Sequence, residues 1–251
     1  MFAVIFEVQP KAEEMDTYLD LAKMLRPELE QIEGFIDNER FTSQKTEGRV
    51  LSLSTWRDEK AVIRWRTLGV HHGVQAQGRA EVFADYHLRV GEITADTQVP
   101  EGQRLRQERF DTTTVGKAQA VTITEVPPCA ATPSPTVYDS ADGLVDWERY
   151  DGITIPGKGL WLASWRDEAA LAGWQASHAQ RSDETENGTI RQRAVRIIRD
   201  YGMHDRREAP QYYPPVAETP ALALECREER SAKKSSATTP GLEHAPLRRG
   251  R

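Results

Sequence analysis

A stretch of 32 residues occurs twice in this chain, and that duplication limits the fold more than any other feature. Residues 34–65 read GFIDNERFTSQKTEGRVLSLSTWRDEKAVIRW and residues 143–174 read GLVDWERYDGITIPGKGLWLASWRDEAALAGW, at a constant offset of 109 with no gap. Thirteen positions are identical: Gly34, Asp37, Glu39, Arg40, Gly48, Leu51, Leu53, Trp56, Arg57, Asp58, Glu59, Ala61 and Trp65. Chance gives roughly two matches over such a length, so a duplication is the economical reading. Most differences are mild, such as Phe41 against Tyr150. Asn38 against Trp147 is not.

The repeated unit reads strand, strand, helix. Residues 34–43 alternate and carry Phe35, Ile36 and Phe41; Gly48 opens a second strand over 49–57, rich in Val, Leu and Trp. Asp58 stands at a helix N-cap, where its carboxylate can accept from free amides of the first turn, and Glu59 suits the positive end of the helix dipole. Ala61, Val62 and Trp65 then share one helical face, and Asp167, Glu168, Ala170, Leu171 and Trp174 repeat the arrangement. WRDE is therefore first a strand-to-helix junction, ahead of any chemical role for its carboxylates.

With 251 residues the chain has room for two units of about 100 residues plus a tail. Each alone buries a modest core, so pairing of the two is expected. The net charge of −6 and pI near 5.6 argue against a nucleic-acid partner. No apolar run is long enough to span a bilayer, and MFAVIFEVQPKAEE lacks the basic start of a signal peptide. Cys129 and Cys226 lie far apart without metal-ligand spacing, which fits a reducing, cytoplasmic setting.

Around the repeat, residues 2–8 read as an apolar strand ended by Pro10. Residues 11–32 read as a helix with a kink or restart at Pro27. After Trp65 the second helix pauses at Gly69 and resumes, and residues 85–93 close the unit as a strand. The order βαββαβ is the ferredoxin-like one, with both helices on one face of an antiparallel sheet. Residues 96–117 read as a linker, with a strand expected at 104–110. The second unit, 118–209, opens on AQAVTITEV and has prolines 127, 128, 133 and 135 where the first has its long helix. Its second helix is expected to run to 187–188 and its last strand over 189–199. Residues 210–251 are polar, bear prolines and are expected to be disordered, with 218–251 dispensable for stability.

VIFEVxP, GFxxxERFxS, LSLSxWRDExA, WRxxxxHxxxQxxGR and FADYxLRV, at residues 4–10, 34–43, 51–61, 65–79 and 83–90, resemble the antibiotic biosynthesis monooxygenase (ABM) domain family. The first unit carries the whole pattern. The second carries a degenerate form, with IRDYGMHDRREAP resembling the ending of single-domain members. The resemblance implies an α+β fold in which tandem ferredoxin-like units form a dimeric α+β barrel within one chain. That agrees with sheets that each leave one face uncovered. A further homodimer stays open.

The resemblance also implies a monooxygenase that needs no metal or organic cofactor. In that chemistry a small electron-rich aromatic, a phenol, quinol or polyketide-like anthrone, is deprotonated and its carbanion meets dioxygen. The protein supplies an apolar pocket between helices and sheet. Catalytic candidates are His71, Trp65 and Asn38; substrate-binding candidates are Arg40, His72 and Tyr86. Each has a bland counterpart. Trp65 recurs as Trp174, which favours core packing. His71, titrating near neutrality, suits a base, or is merely a histidine at a helix start; His72 has the weaker case. Asn38 and Arg40 share a strand face. Facing a cavity they can bind an oxyanion, yet the recurrence of Arg40 as Arg149 favours an ion pair. Haem-degrading members of the family use a first-strand Asn, a Trp and a His ten residues after it. Here Val8 and Gln75 occupy two of those places, which argues against haem. The six histidines show no metal spacing. A non-catalytic binding barrel is the third alternative, and the degenerate second unit points to the first as the working half.

Overall fold

A computed structural model describes residues 1–128, 130, 138, 141–178, 184–185 and 188–213. Its elements, in order, are β1 (Phe2–Pro10), α1 (Met15–Glu30), β2 (Phe35–Ser43), β3 (Val50–Trp56), α2 (Glu59–Thr67), α3 (Gly69–Gln77) and β4 (Phe83–Asp96). Then come β5 (Ala120–Val126), β6 (Leu144–Gly152), β7 (Gly159–Trp165), α4 (Glu168–His178), a two-residue pair β8 (Glu184–Thr185) and β9 (Gly188–Thr189), and β10 (Arg191–Gly202). Eight strands close an antiparallel barrel in the order β1-β3-β2-β6-β7-β5-β10-β4, with β4 bonded back to β1. The order β4-β1-β3-β2 is matched by β10-β5-β7-β6. The two runs meet edge to edge, at Phe41–Ser43 with Tyr150–Gly152 and along the length of β4 and β10. The sheets thus face each other across the barrel and are also hydrogen-bonded at both seams, and residues 1–215 form one compact unit. No helix among the described residues is long and apolar enough to cross a membrane.

Strand alternation sorts the core into three clusters. Inward residues of both runs, among them Ile5, Leu51, Leu53, Ile123, Leu160 and Leu162, fill the barrel. Phe2, Trp56, Val62 and Val90 pack outside the first run with α1 and α2, and Trp161, Trp165, Leu171 and Trp174 pack outside the second with α4.

This geometry explains most of the repeated identities. Gly34 and Gly143 have φ of +92° and +75°, and a Cβ on either would sit 2.7 or 2.4 Å from the Cβ of Ala61 or Ala170. Only glycine accepts both the backbone and the contact. Asp58 and Asp167 each accept the amide of the residue three further on at 2.8 Å. Glu39 pairs with Lys158 and Glu148 with Arg49, so each copy's acid reaches the other copy's loop cation. The barrel ends repeat the same logic. Arg89 binds Glu7 at 2.6 Å and Ser164 at 2.8 Å; Arg193 binds Glu125 and, at 2.9 Å, Thr55. Buried charges are tolerated here because each has a partner.

Several expectations need correction. α1 begins at Met15, after a 3-10 turn at Ala12–Glu14, and runs through Pro27. Pro27 and Lys23, whose carbonyl the proline leaves unbonded, both lie on the exposed face. Residues 104–110 form no strand, because the buried Glu92 carboxylate accepts the Glu108 and Arg109 amides. α4 is described over Glu168–His178 and residues 179–183 lie outside the described residues, but Glu184–Thr185 is already strand, paired with β9, so the helix does not reach 187; β10 starts at Arg191 and runs to Gly202. The tail expected to be disordered lies, from residue 214 on, outside the described residues, as does most of the proline-rich stretch 129–140.

Candidate functional site

A cavity of about 190 Å³ lies between the outer face of β1–β4 and the three helices above it. The floor alternates as a strand face must: Val4 and Phe6 from β1, Asn38 and Arg40 from β2, Ser52 and Ser54 from β3, Leu88 and Val90 from β4. α1 roofs it with Tyr18, Leu21, Ala22, Leu25 and Leu29. α2 and α3 wall it with Val62, Trp65, Arg66, His71, Val74 and Gln75. They are separate helices because Leu68 takes an extended backbone, φ −62° and ψ 128°, which turns α3 across the cavity mouth.

Five of the six candidate residues reach this cavity: Asn38, Arg40, Trp65, His71 and Tyr86. Asn38 donates to the Ser52 hydroxyl (3.1 Å) and to the Leu53 carbonyl (3.0 Å), so its amide oxygen is left for the cavity. Trp65 stacks on His71 with centroids 3.9 Å apart. His71 Nδ1 lies 2.9 Å from the Trp65 carbonyl, which fixes the proton on Nδ1, and Nε2 faces Gln75 at 3.4 Å. Burial pushes the His71 pKa down to about 4, so the ring is neutral at pH 7 and acts through Nε2 as an acceptor. The expectation of a base titrating near neutrality is corrected on that ground. Among the described residues Arg40 forms no ion pair, unlike Arg149, which meets Asp151 at 3.4 Å; its charge instead acts on buried Tyr18. His72 is exposed, outside the cavity, and stacks on Tyr213 at 5.4 Å.

Sequence reasoning missed one wall entirely. Arg199 and Tyr201 of β10, and Arg206, Gln211 and Tyr213 after it, close the end of the cavity. Arg79 and Arg206 both donate to the Tyr86 hydroxyl, at 2.7 and 2.5 Å. Tyr213 donates to Gln75 Oε1 at 2.8 Å, and Gln211 Nε2 donates to the Arg66 carbonyl at 3.0 Å. The last strand among the described residues therefore completes a pocket built on the first half of the chain.

The equivalent space outside the second run is occupied by rings. Where Asn38 bonds Ser52, Trp147 and Trp161 stand 5.3 Å apart, and Tyr138 stacks on Trp147 (5.6 Å) and Trp174 (5.4 Å). Burial raises the Tyr138 pKa to about 12. Among the described residues no cluster of three or more His, Cys, Asp or Glu suits a metal ion.

Comparison with known proteins accords with this architecture. Residues 1–77 match the family model for antibiotic biosynthesis monooxygenase. A relative from Pyricularia oryzae, named jasmonate monooxygenase ABM, is 41% identical over 228 residues, covering 86% of this chain and 100% of that protein. A crystal structure of an aldoxime dehydratase in complex with butyraldoxime superposes with a TM-score of 0.51 at 8% identity, covering 78% of this chain and 79% of that one; the likeness is one of fold. An anthrone oxidase-like protein aligns over 84% of this chain and 96% of its own at 11% identity and a TM-score of 0.32. With its first strands matching the family model and a relative aligned over its full length, the chain belongs to the antibiotic biosynthesis monooxygenase family.

Proposed function

We propose that this chain is a monooxygenase that takes one small, largely apolar substrate into the cavity under α1, α2 and α3, with jasmonate the first compound to test. The observation that carries the reading is the full-length match to a jasmonate monooxygenase, coupled with an apolar cavity whose polar groups converge at one end. The chain is read as two tandem units, 1–95 and 118–209, joined by 96–117. The first holds the site. The second, with Trp147 and Trp161 in place of Asn38 and Ser52, supplies the other half of the barrel and the closing wall.

In this role Trp65 and His71 form one flat wall, His71 Nε2 and the Asn38 oxygen accept hydrogen bonds from substrate, and the Tyr86 hydroxyl faces them at the polar end. Inserting one oxygen atom into a C–H bond of jasmonate leaves the second oxygen as water and needs two electrons and two protons from an added reductant. An electron-rich aromatic is the second reading, favoured by the rings of Phe6, Phe83, Tyr86 and Trp65 around the cavity. An anthrone methylene that becomes a carbonyl gives up four electrons itself, so dioxygen is reduced with no external donor or cofactor.

The test is incubation under oxygen-18 gas with jasmonate and, separately, with an anthrone, each with and without reductant, followed by mass spectrometry. A product labelled with one oxygen-18 supports the oxygenase reading, and the need for reductant separates the two substrate classes. No label from either, with the protein folded, sinks it in favour of a binding barrel.

A further inference from the structure

The charges around the cavity do not balance. Arg40, Arg66, Arg79, Arg199 and Arg206 line it, and none forms an ion pair among the described residues. The rest of the molecule behaves differently: Arg57 meets Glu33 at 2.9 Å, Arg89 meets Glu7 at 2.6 Å, Arg196 meets Glu168 at 2.6 Å and Arg207 meets Asp205 at 2.5 Å. Arg104 and Arg106, which are also unpaired, are exposed to water. The one acid on the lining, Glu59, is held at 2.7 and 2.8 Å by Arg109 and forms no ion pair with a lining arginine among the described residues, although its charge is felt by Arg66. A protein of net charge −6 has thus gathered five arginines without ion pairs among the described residues in an apolar cavity.

The cations concentrate at one end. Arg79 and Arg206 converge on the Tyr86 hydroxyl, and the Tyr213 ring lies 5.3 Å from each guanidinium carbon. Arg79 is only 4% exposed, and its Nε and Nη2 have no partner. Burial lowers the Arg66 pKa, and neighbouring Arg199 pushes the same way. Removing cations from water without counter-charge is expensive. That cost is recovered when an anion binds there.

We propose that the substrate of this cavity is an apolar carboxylate, whose carboxylate is held by Arg79 and Arg206, with Arg66 and Arg199 adding attraction, and whose apolar body lies under α1. The planar guanidinium matches a carboxylate edge. Beyond Tyr18, the roof residues Leu21, Ala22, Leu25 and Leu29 offer only hydrocarbon. The inference rests on the reading of this cavity as the substrate site and decides between the two substrate classes named for it, since jasmonate is a carboxylate and an anthrone carries none. Tyr213, placed over the arginine pair, covers the anion end and is displaced when the anion binds.

Isothermal titration of the full chain with 4-phenylbutyrate and with its uncharged amide tests this. The acid is expected to bind at least tenfold more tightly than the amide. Arg206→Gln and Arg199→Gln each remove most of that advantage of acid over amide, while Arg79→Met abolishes it. The two surface-side variants keep the test valid if the Arg79 variant fails to fold. Equal affinity for acid and amide, an acid preference that survives both glutamine substitutions, or no binding of either compound in the millimolar range overturns the proposal. The titration needs no turnover. A charge preference without oxygen-18 incorporation therefore condemns the oxygenase reading alone, and labelled product without a charge preference condemns this one alone.

Discussion

Replacing Asp58 with alanine separates a structural role for WRDE from a chemical one. Asp58 has an extended backbone at the head of α2, φ −153° and ψ 169°, and accepts the Ala61 amide at 2.8 Å and Arg57 Nε at 3.0 Å. Ala61 is fully buried, so water does not replace the lost acceptor. Loss of an N-cap costs about 1 kcal/mol, with a range of roughly 0.5–2, and the burial of Ala61 places this site in the upper half. In a domain of this size about 1 kcal/mol lowers the melting temperature by about 2–4 °C. Asp167→Ala has the same geometry at the head of α4, with the Ala170 amide at 2.8 Å, but Ala170 is only half-buried, so water can replace the lost acceptor and the effect should be smaller. Burial alone would raise the Asp58 pKa, but the Ala61 amide and Arg57 hold it below its ordinary 3.8. The contribution of Asp58 is therefore present above pH 3.8 and lost as pH falls through the lower folded value, so the gap between wild type and Asp58→Ala closes in strong acid. Thermal melts by circular dichroism, run beside turnover at 20 °C, give the answer. Asp58→Asn, which keeps the acceptor, should retain both stability and turnover. Loss of turnover in Asp58→Asn with an unchanged melt would refute the junction reading.

Other outcomes follow from the same geometry. Because His71 is neutral at pH 7, the pH–rate profile from 5.5 to 8 should contain no inflection that His71→Gln removes; an inflection near 6.5 that vanishes in the variant contradicts the buried-acceptor assignment. At the barrel end, burial alone would raise Glu7, but Arg89 and His87 hold it far below 4.5; its contribution is present above pH 4.5 and fades as pH falls toward the folded value. His87 would be lowered by burial but is raised above 6.5 by Asp200 (2.7 Å) and Glu7, so its contribution is full below 6.5 and fades as pH rises through the folded value; chemical melts of His87→Gln should lack that alkaline decline. Gly34→Ala should destabilise by more than about 1 kcal/mol in urea. Ala61→Gly should restore only the part due to the 2.7 Å contact, since φ stays at +92°, and full restoration would contradict the backbone argument.

How much of this was legible in the sequence follows from what each identity does. The residues shared by the two copies are the ones that make turns, caps, barrel core and cross-barrel ion pairs, and these act locally or by strand alternation. Gly34 with Ala61, Asp58, and Leu51 with Leu53 could therefore be read as a fold before any coordinates. Asn38 against Trp147 was legible as a difference in volume, although its partners, Ser52 against Trp161, emerged only when strand register put them side by side. The cavity wall made by Arg199, Arg206 and Tyr213 was not legible. It depends on β4 pairing with β10 more than a hundred residues later. Nor could the sequence show that five arginines lack carboxylate partners, since pairing is a property of space and not of spacing. His71 was found as a candidate, but its protonation was misjudged, because burial decides it.

The central claim is that the space under α1 in the first half is the working site and that its counterpart is filled. The most direct measurement is an exchange of the residues that distinguish the two. Asn38→Trp brings the indole of the second half into the cavity of about 190 Å³, and Trp147→Asn removes it from the other side. Turnover of the labelled substrate is measured for both variants, with circular dichroism as the check on folding. The account predicts that Asn38→Trp, folded, loses turnover by at least a hundredfold, whereas folded Trp147→Asn keeps it within a few-fold of wild type. Retained turnover in Asn38→Trp, or its loss in Trp147→Asn with the fold intact, would place the chemistry elsewhere and contradict the account.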